Sequence, residues 1–357
     1  MDLAVATARQ SRDKRDIWSL GVLPVLALGA LAGLLGIYWD IAWHIDIGRD
    51  TFFTLPHNFI YSSIAVVLLM SLYGLLRDRR DTAFHLRWRS LRLHPGLLIV
   101  AVGAALELLF APMDELWHQL FGIDVTLWAP MHLIGIMGLT LASFGGLVSA
   151  WLEQRLAVNE ERRRHFGRVT LFFAAAMLGW TILLLAEFDF NTPQFPSFWH
   201  PVLLIGLPPM ILVLVRTLTA WRWAATVIAL LYTAFRLGLA GWLITTASLD
   251  LAGYTRPLIP LLILAGLAVD LLVRRNLPGW LLGLSAGAVI LLTNWPLIAF
   301  GSGIIWYPDV LSQAVRPGLA LAAATGSLGT WVAGSLNSQS GGAPSGVASR
   351  TFEKIHP

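Results

Sequence analysis

Cysteine is absent from this chain, which excludes disulfides, thiolate metal ligands and cysteine-held iron–sulfur clusters. Charge is scarce as well: Asp, Glu, Lys and Arg make up 13% of 357 residues, whereas hydrophobic residues make up 56%. Soluble domains carry roughly 25% charged residues, so this composition excludes that class. With a mean hydropathy of +0.68, the chain reads as a polytopic membrane protein. The net charge of +4 is accounted for by basic loops between membrane spans, and no nucleic-acid partner is expected.

What is present is a set of long apolar runs. A span needs roughly 20 such residues, and about ten runs qualify, near 17–40, 57–76, 96–120, 131–153, 169–187, 200–220, 223–246, 258–273, 279–299 and 315–334. The expected fold class is all-α, a transmembrane helical bundle in contact with membrane lipid. Basic clusters precede the first span and follow at 77–92, 155–168, 216–222 and Arg274–Arg275. They fall on one face if successive runs cross in alternate directions, so both termini are expected in the cytoplasm of a multi-pass inner-membrane protein. The polar first sixteen residues lead into a long span, as in an uncleaved first helix. Residues 335–357, rich in Ser and Gly, are expected to form a loose cytoplasmic tail.

One pattern occurs twice. Asp40, Trp43, His44, Gly48, Asp50, Pro56 and His57 are echoed by Asp114, Trp117, His118, Gly122, Asp124, Pro130 and His132. In each copy a carboxylate and a histidine stand four residues apart, on one face of a helix. A second histidine follows 13 or 14 residues later as the next apolar run begins. The first four spans are therefore expected to form two repeated helical hairpins, each with an Asp/His/His metal site near the outer face: Asp40, His44 and His57, then Asp114, His118 and His132. We divide the chain into a metal-binding half at 1–168 and a second helical half at 169–334.

Imidazole with carboxylate suits copper, zinc or iron, and two histidines with one carboxylate leave coordination positions open. Met113 and Met131 flank the second copy, as apolar filler or as a soft sulfur for reduced copper. Asp50 and Asp124 are read as helix caps or as hydrogen-bonding partners of a ligating imidazole. Glu107, seven residues before Asp114, is either a proton relay or the partner of a buried cation such as Arg236. A weaker third echo pairs Glu187 with His200, 13 residues on, and the loop 188–199 is a candidate lid with His200 as an added ligand. Trp43 and Trp117 belong to an aromatic belt or shield the metal. His85, His94, His165 and His356 fall in cytoplasmic loops or the tail, where solvated imidazoles are expected.

The run Tyr38-Trp39-Asp40-Ile41-Ala42-Trp43-His44, followed by Arg49-Asp50-Thr51-Phe52-Phe53-Thr54 and His57, resembles the copper-binding signature of the C-type membrane subunit of the particulate methane and ammonia monooxygenases, the copper membrane monooxygenase family. In that family an Asp-x-x-x-His with a later His forms one copper site, matched by Asp40, His44 and His57. A second site uses Asn-x-x-x-His and a later His, and here Asp114 stands in the asparagine's place beside His118 and His132. The likeness covers roughly residues 17–153, and the family's chain is shorter, with fewer spans. It implies copper as cofactor, dioxygen and a quinol as reactants, other monooxygenase subunits as partners, and oxidation of ammonia or a small hydrocarbon. Two alternatives are a metal-ion or proton-coupled transporter and a non-catalytic copper-binding accessory protein.

Overall fold

Paired prolines and glycines fix where the first four helices begin and end. In a computed structural model, which describes residues 17–48, 51–78, 80, 82, 84–89, 91–122, 126–219, 221–245, 258–301 and 306–339, helix α1 (Ile17–Asp46) and helix α2 (Leu55–Arg77) form one hairpin. A short β-hairpin, β1 (Leu86–Trp88) with β2 (Leu91–Leu93), leads into α3 (Pro95–Phe121) and α4 (Pro130–Leu156), the second. After α1 and at the end of α3 the chain turns at Gly48 and Gly122, with φ of 91° and 92°. This conformation is costly for any residue with a Cβ. Each return helix then opens with a proline in its first turn, Pro56 or Pro130, where the missing N–H is no loss. A glycine and a proline thus flank the connection in both copies, in the same order.

Helix α5 (Glu160–Leu183) packs against α1 and α4 and against two later helices, and its apolar window is 83% buried inside the protein. A one-turn helix α6 (Ala186–Asp189) follows, then α7 (Trp199–Gly206) and α8 (Pro208–Leu218), which together make one span broken at Pro208. Helices α9 (Ala224–Thr245), α10 (Ile263–Leu272), α11 (Gly279–Gly301) and α12 (Pro308–Gln339) complete the bundle. Nine helices among the described residues are long and apolar enough to cross a membrane, and the protein is an all-α, multi-pass membrane bundle. Helix α12 runs to Gln339, a few residues into the stretch expected as tail; 340–357 lie outside the described residues.

The eighth expected span, 258–273, departs from a regular helix. Only Ile263–Leu272 is α-helical, and 258–262 enters as irregular backbone, because Pro260 cannot supply a helical N–H. Backbone groups at membrane depth need partners inside the protein. Asn294 on α11 provides them, its Oδ1 accepting from Leu261 N at 2.8 Å and its Nδ2 donating to Leu261 O at 3.0 Å. The segment runs back beside α9: Asp270 accepts from Ala225 N and Thr226 N at that helix's start.

A buried cation joins the two halves. Arg236, fully buried on α9, donates to Asp189 Oδ2 at 2.8 Å, to Tyr38 Oη at 2.6 Å, to Tyr232 Oη at 3.1 Å and to Leu258 O at 3.1 Å. Its guanidinium lies 4.3 Å from the Tyr38 ring centre, close enough for a cation–π contact. The expectation that Arg236 partners Glu107 is thereby corrected: Asp189 takes that place.

At the opposite end of the first two hairpins the expectation of solvated His85 and His94 is also overturned. Both are buried, because the segment after α2 folds back as an ion network. Arg80 pairs with Asp78 at 2.9 Å and with Glu153 on α4 at 2.5 Å, and His85 Nε2 lies 2.9 Å from Asp78. His94 accepts from Leu97 N to cap α3, and its Nε2 lies 3.6 Å from Glu153. Burial alone would raise the Asp78 carboxyl, but hydrogen bonds from His85 and Arg80 outweigh it and hold it well below the ordinary value of 3.8. A carboxyl depressed on folding stabilises above its unfolded pKa, and that contribution is lost as pH falls through the folded one. Asp78→Asn should therefore lower the thermal midpoint in detergent at pH 7, and the gap to wild type should narrow as the pH falls below 4. A pH-independent gap would rule this out.

Candidate metal centre

The two triads form as a direct result of the hairpin turns. Asp40 and His44 lie one turn apart on α1, and Asp114 and His118 likewise on α3. On α2 the Thr54 hydroxyl caps the helix by accepting from His57 N at 3.3 Å, which sets His57 in the first turn facing Asp40. His132 takes the same place on α4, two residues after Pro130. His57 Nε2 stands 3.1 Å from Asp40 Oδ1 and His44 Nε2 3.7 Å from the same oxygen. In the second copy His118 Nε2 and His132 Nε2 lie 3.2 and 3.3 Å from the Asp114 carboxylate. In each triad one ligand atom per residue lies within 4.8 Å of the others.

Backbone carbonyls set the imidazole tautomers. His57 Nδ1 lies 3.0 Å from Phe52 O, His132 Nδ1 3.1 Å from Thr126 O, and His118 Nδ1 3.3 Å from Gly122 O. A carbonyl only accepts, so each neutral ring carries its proton on Nδ1 and turns a bare Nε2 toward the carboxylate. Lone pairs facing a carboxylate repel it unless a cation, proton or metal, stands between them. This is the usual second-neighbour arrangement of histidine metal ligands, and the donor sets therefore fit a transition-metal ion.

No family model, curated protein or solved structure matches this chain. The geometry itself carries the functional reading.

Both triads border one cavity of about 560 Å³. Its other walls are mostly apolar, with Ile37, Ile41, Ile60, Phe110 and Ile136 among them, so it offers a water-poor space beside the imidazoles. Met131 lines it, whereas Met113 is exposed and faces away. Glu107 lines it from α3. Neither Trp43 nor Trp117 does, and Trp117 stacks instead on Phe121 at 4.4 Å, as a belt residue would.

Glu187 and the 188–199 loop close the cavity on one side. Glu187 Oε1 accepts from the Thr126 hydroxyl at 2.7 Å and Leu127 N at 2.5 Å, and Oε2 accepts from Gln194 N at 2.8 Å. Thr126, Leu127, Thr192 and Gln194 all reach the wall, so this carboxylate ties the lid to the turn that carries His132. His200 does not join it. It is fully buried against Phe188, and its Nδ1 accepts from the Trp306 indole at 2.9 Å, away from the cavity wall, which corrects its assignment as an added ligand. Sequence spacing placed it beside Glu187, but the irregular 190–198 turn aims it into the second half. Asp50 and Asp124 lie outside the described residues. Spacing alone gave no sign of Thr126, Gln194 or Tyr61, which border the cavity from the turn before α4, the loop after α6 and α2.

Proposed function

We propose that this chain is a membrane metalloprotein that holds two transition-metal ions beside one apolar cavity, with copper as the preferred metal. The observation that carries the reading is the convergence of two like-built Asp/His/His triads on the same cavity. Asp40, His44 and His57 would hold one ion, and Asp114, His118 and His132 the other. Copper bound there supplies redox chemistry with dioxygen, the activity implied by the likeness to the copper membrane monooxygenases. The residues around it do the rest. The backbone carbonyls of Phe52 and Thr126 hold Nδ1 of His57 and His132 and so turn each Nε2 toward its carboxylate, the isoleucines exclude bulk water, and Glu187 fastens the lid. A small apolar molecule or ammonia fits a cavity of about 560 Å³ of this lining, and a quinol and further subunits would supply electrons. We place the triads toward the outer face of a cell membrane, with both termini inside, on the distribution of basic loops.

Residence of metal is favoured over its passage. Below the cavity α3 and α4 meet backbone to backbone: a Cβ on Gly103 would strike Gly138 O, and one on Gly145 would lie 2.6 Å from Val100 N. Such small-residue contacts leave no polar path between these helices.

The test is elemental analysis of the detergent-purified chain after copper loading. Wild type should hold two ions, and His44→Ala and His118→Ala should each lose about one, as open three-ligand sites do when a ligand is removed. Full copper content in both variants would reject the assignment, and copper flux in proteoliposomes without oxygen consumption would favour a transporter.

A further inference from the structure

The two triads are alike in their ligands but differ one level below. Glu107 lies seven residues before Asp114 on α3, and its carboxylate fills the space left by Gly135, one turn after His132 on α4. A Cβ on Gly135 would collide with Glu107 Oε2. That oxygen has no solvent access and no hydrogen-bond partner among the described residues, and the side chain borders the cavity. In the first copy the arrangement is inverted. Gly33 stands seven residues before Asp40, and Ile60 one turn after His57. Space that would receive a carboxylate there is bounded by Ser63 and the Trp180 ring, 3.4 and 3.5 Å from a Cβ on Gly33. The first site therefore lacks the additional carboxyl group that Glu107 brings to the second.

A carboxylate with one oxygen shut from solvent and left without a hydrogen bond is expensive to retain. Its natural counterpart is a cation, and the nearest place for one is the second triad. Helical spacing puts Glu107 about 10 Å along α3 from Asp114, too far to share the inner ligand shell but within reach of a poorly screened Coulomb interaction across an apolar cavity. Resting on the metal-binding reading above, we propose that Glu107 is a positioning residue that makes the second site selective for divalent over monovalent metal, leaving the first site as the more tolerant of a monovalent ion. The attraction of Glu107 for the incoming ion scales with that ion's charge, so a divalent ion gains about twice as much binding free energy from it as a monovalent one.

The experiment measures Zn²⁺ and Ag⁺ binding separately to the full-length protein in detergent. In a His44→Ala/His57→Ala background, which leaves only the second site, Glu107→Gln should weaken Zn²⁺ by on the order of 10-fold, the low end for losing an outer partner of a metal site. Ag⁺ affinity should fall by only about threefold, since half the ionic charge halves the logarithm of the loss. In a His118→Ala/His132→Ala background the same substitution should leave both ions within about twofold. Glu107→Asp keeps the charge and should retain most of the Zn²⁺ preference, which separates electrostatics from loss of folding. An unchanged Zn²⁺/Ag⁺ ratio in the first background, or an equal loss in both backgrounds, overturns the proposal. Absence of metal from wild type overturns the metal-binding reading itself.

Discussion

Arg236→Leu should be the most damaging single substitution outside the triads, lowering stability by about 3–5 kcal/mol, the range for removing one partner of a buried ion pair. Arg236 and Asp189 are both fully buried at their side chains and 2.8 Å apart. Removing the guanidinium leaves Asp189 with a charge and no counterion, and strips the donor from Tyr38, Tyr232 and the Leu258 carbonyl. Loss of both partners should hurt less than loss of one. Asp189→Asn/Arg236→Leu should recover part of the deficit, since the cost lies chiefly in the orphaned charge and only secondarily in the missing bond. The check is thermal unfolding in detergent of the two single variants and the double. Strict additivity would show that the pair is not coupled as the geometry requires.

Metal should stabilise the folded chain in two separable steps. A ligand that binds only the native state adds about 2.7 kcal/mol at a free concentration of 100 times its Kd. Each triad draws its ligands from the two helices of one hairpin, so occupancy clips that hairpin shut. Copper or zinc at that level should raise the unfolding midpoint of wild type, and His44→Ala or His118→Ala should each remove about half of the gain. A chelator should return wild type to the metal-free midpoint while leaving a His44→Ala/His118→Ala double variant unmoved. A midpoint rise that survives loss of both histidines would place the metal elsewhere.

The hairpin repeat was legible because its parts obey local rules. Asp-x-x-x-His on one helix face, a glycine forced into positive φ and a proline at a helix start are read from neighbours in sequence. The same local logic failed for His85 and His94, which a count of loop residues left in solvent. His94 lies against Glu153, contributed by α4 far along the chain, and His85 against Asp78, which Arg80 links to the same Glu153. It failed again at His200, where 13-residue spacing imitated the repeat but no glycine and proline pair turns the chain as at Gly48 and Pro56. The short α10 shows a third limit. Hydropathy recognises an apolar run, yet Pro260 and the side chain of Asn294 decide how much of it is helical. Glu107 was visible as a buried acid, whereas the glycine across from it that makes room was visible only in three dimensions.

Tyr38 gives the otherwise matched triads unequal anchorage. It sits on α1 two residues before Asp40, and its hydroxyl is held by Arg236 on α9; the second triad is fastened instead by Glu187 to the connection after α5. A shift of α9 would reach Asp40 directly along α1 through Tyr38, and the second triad only by way of Asp189 and Glu187 on α6. The later helices thereby hold the two clusters by levers of different length, and a push on that half of the bundle would arrive at one before the other.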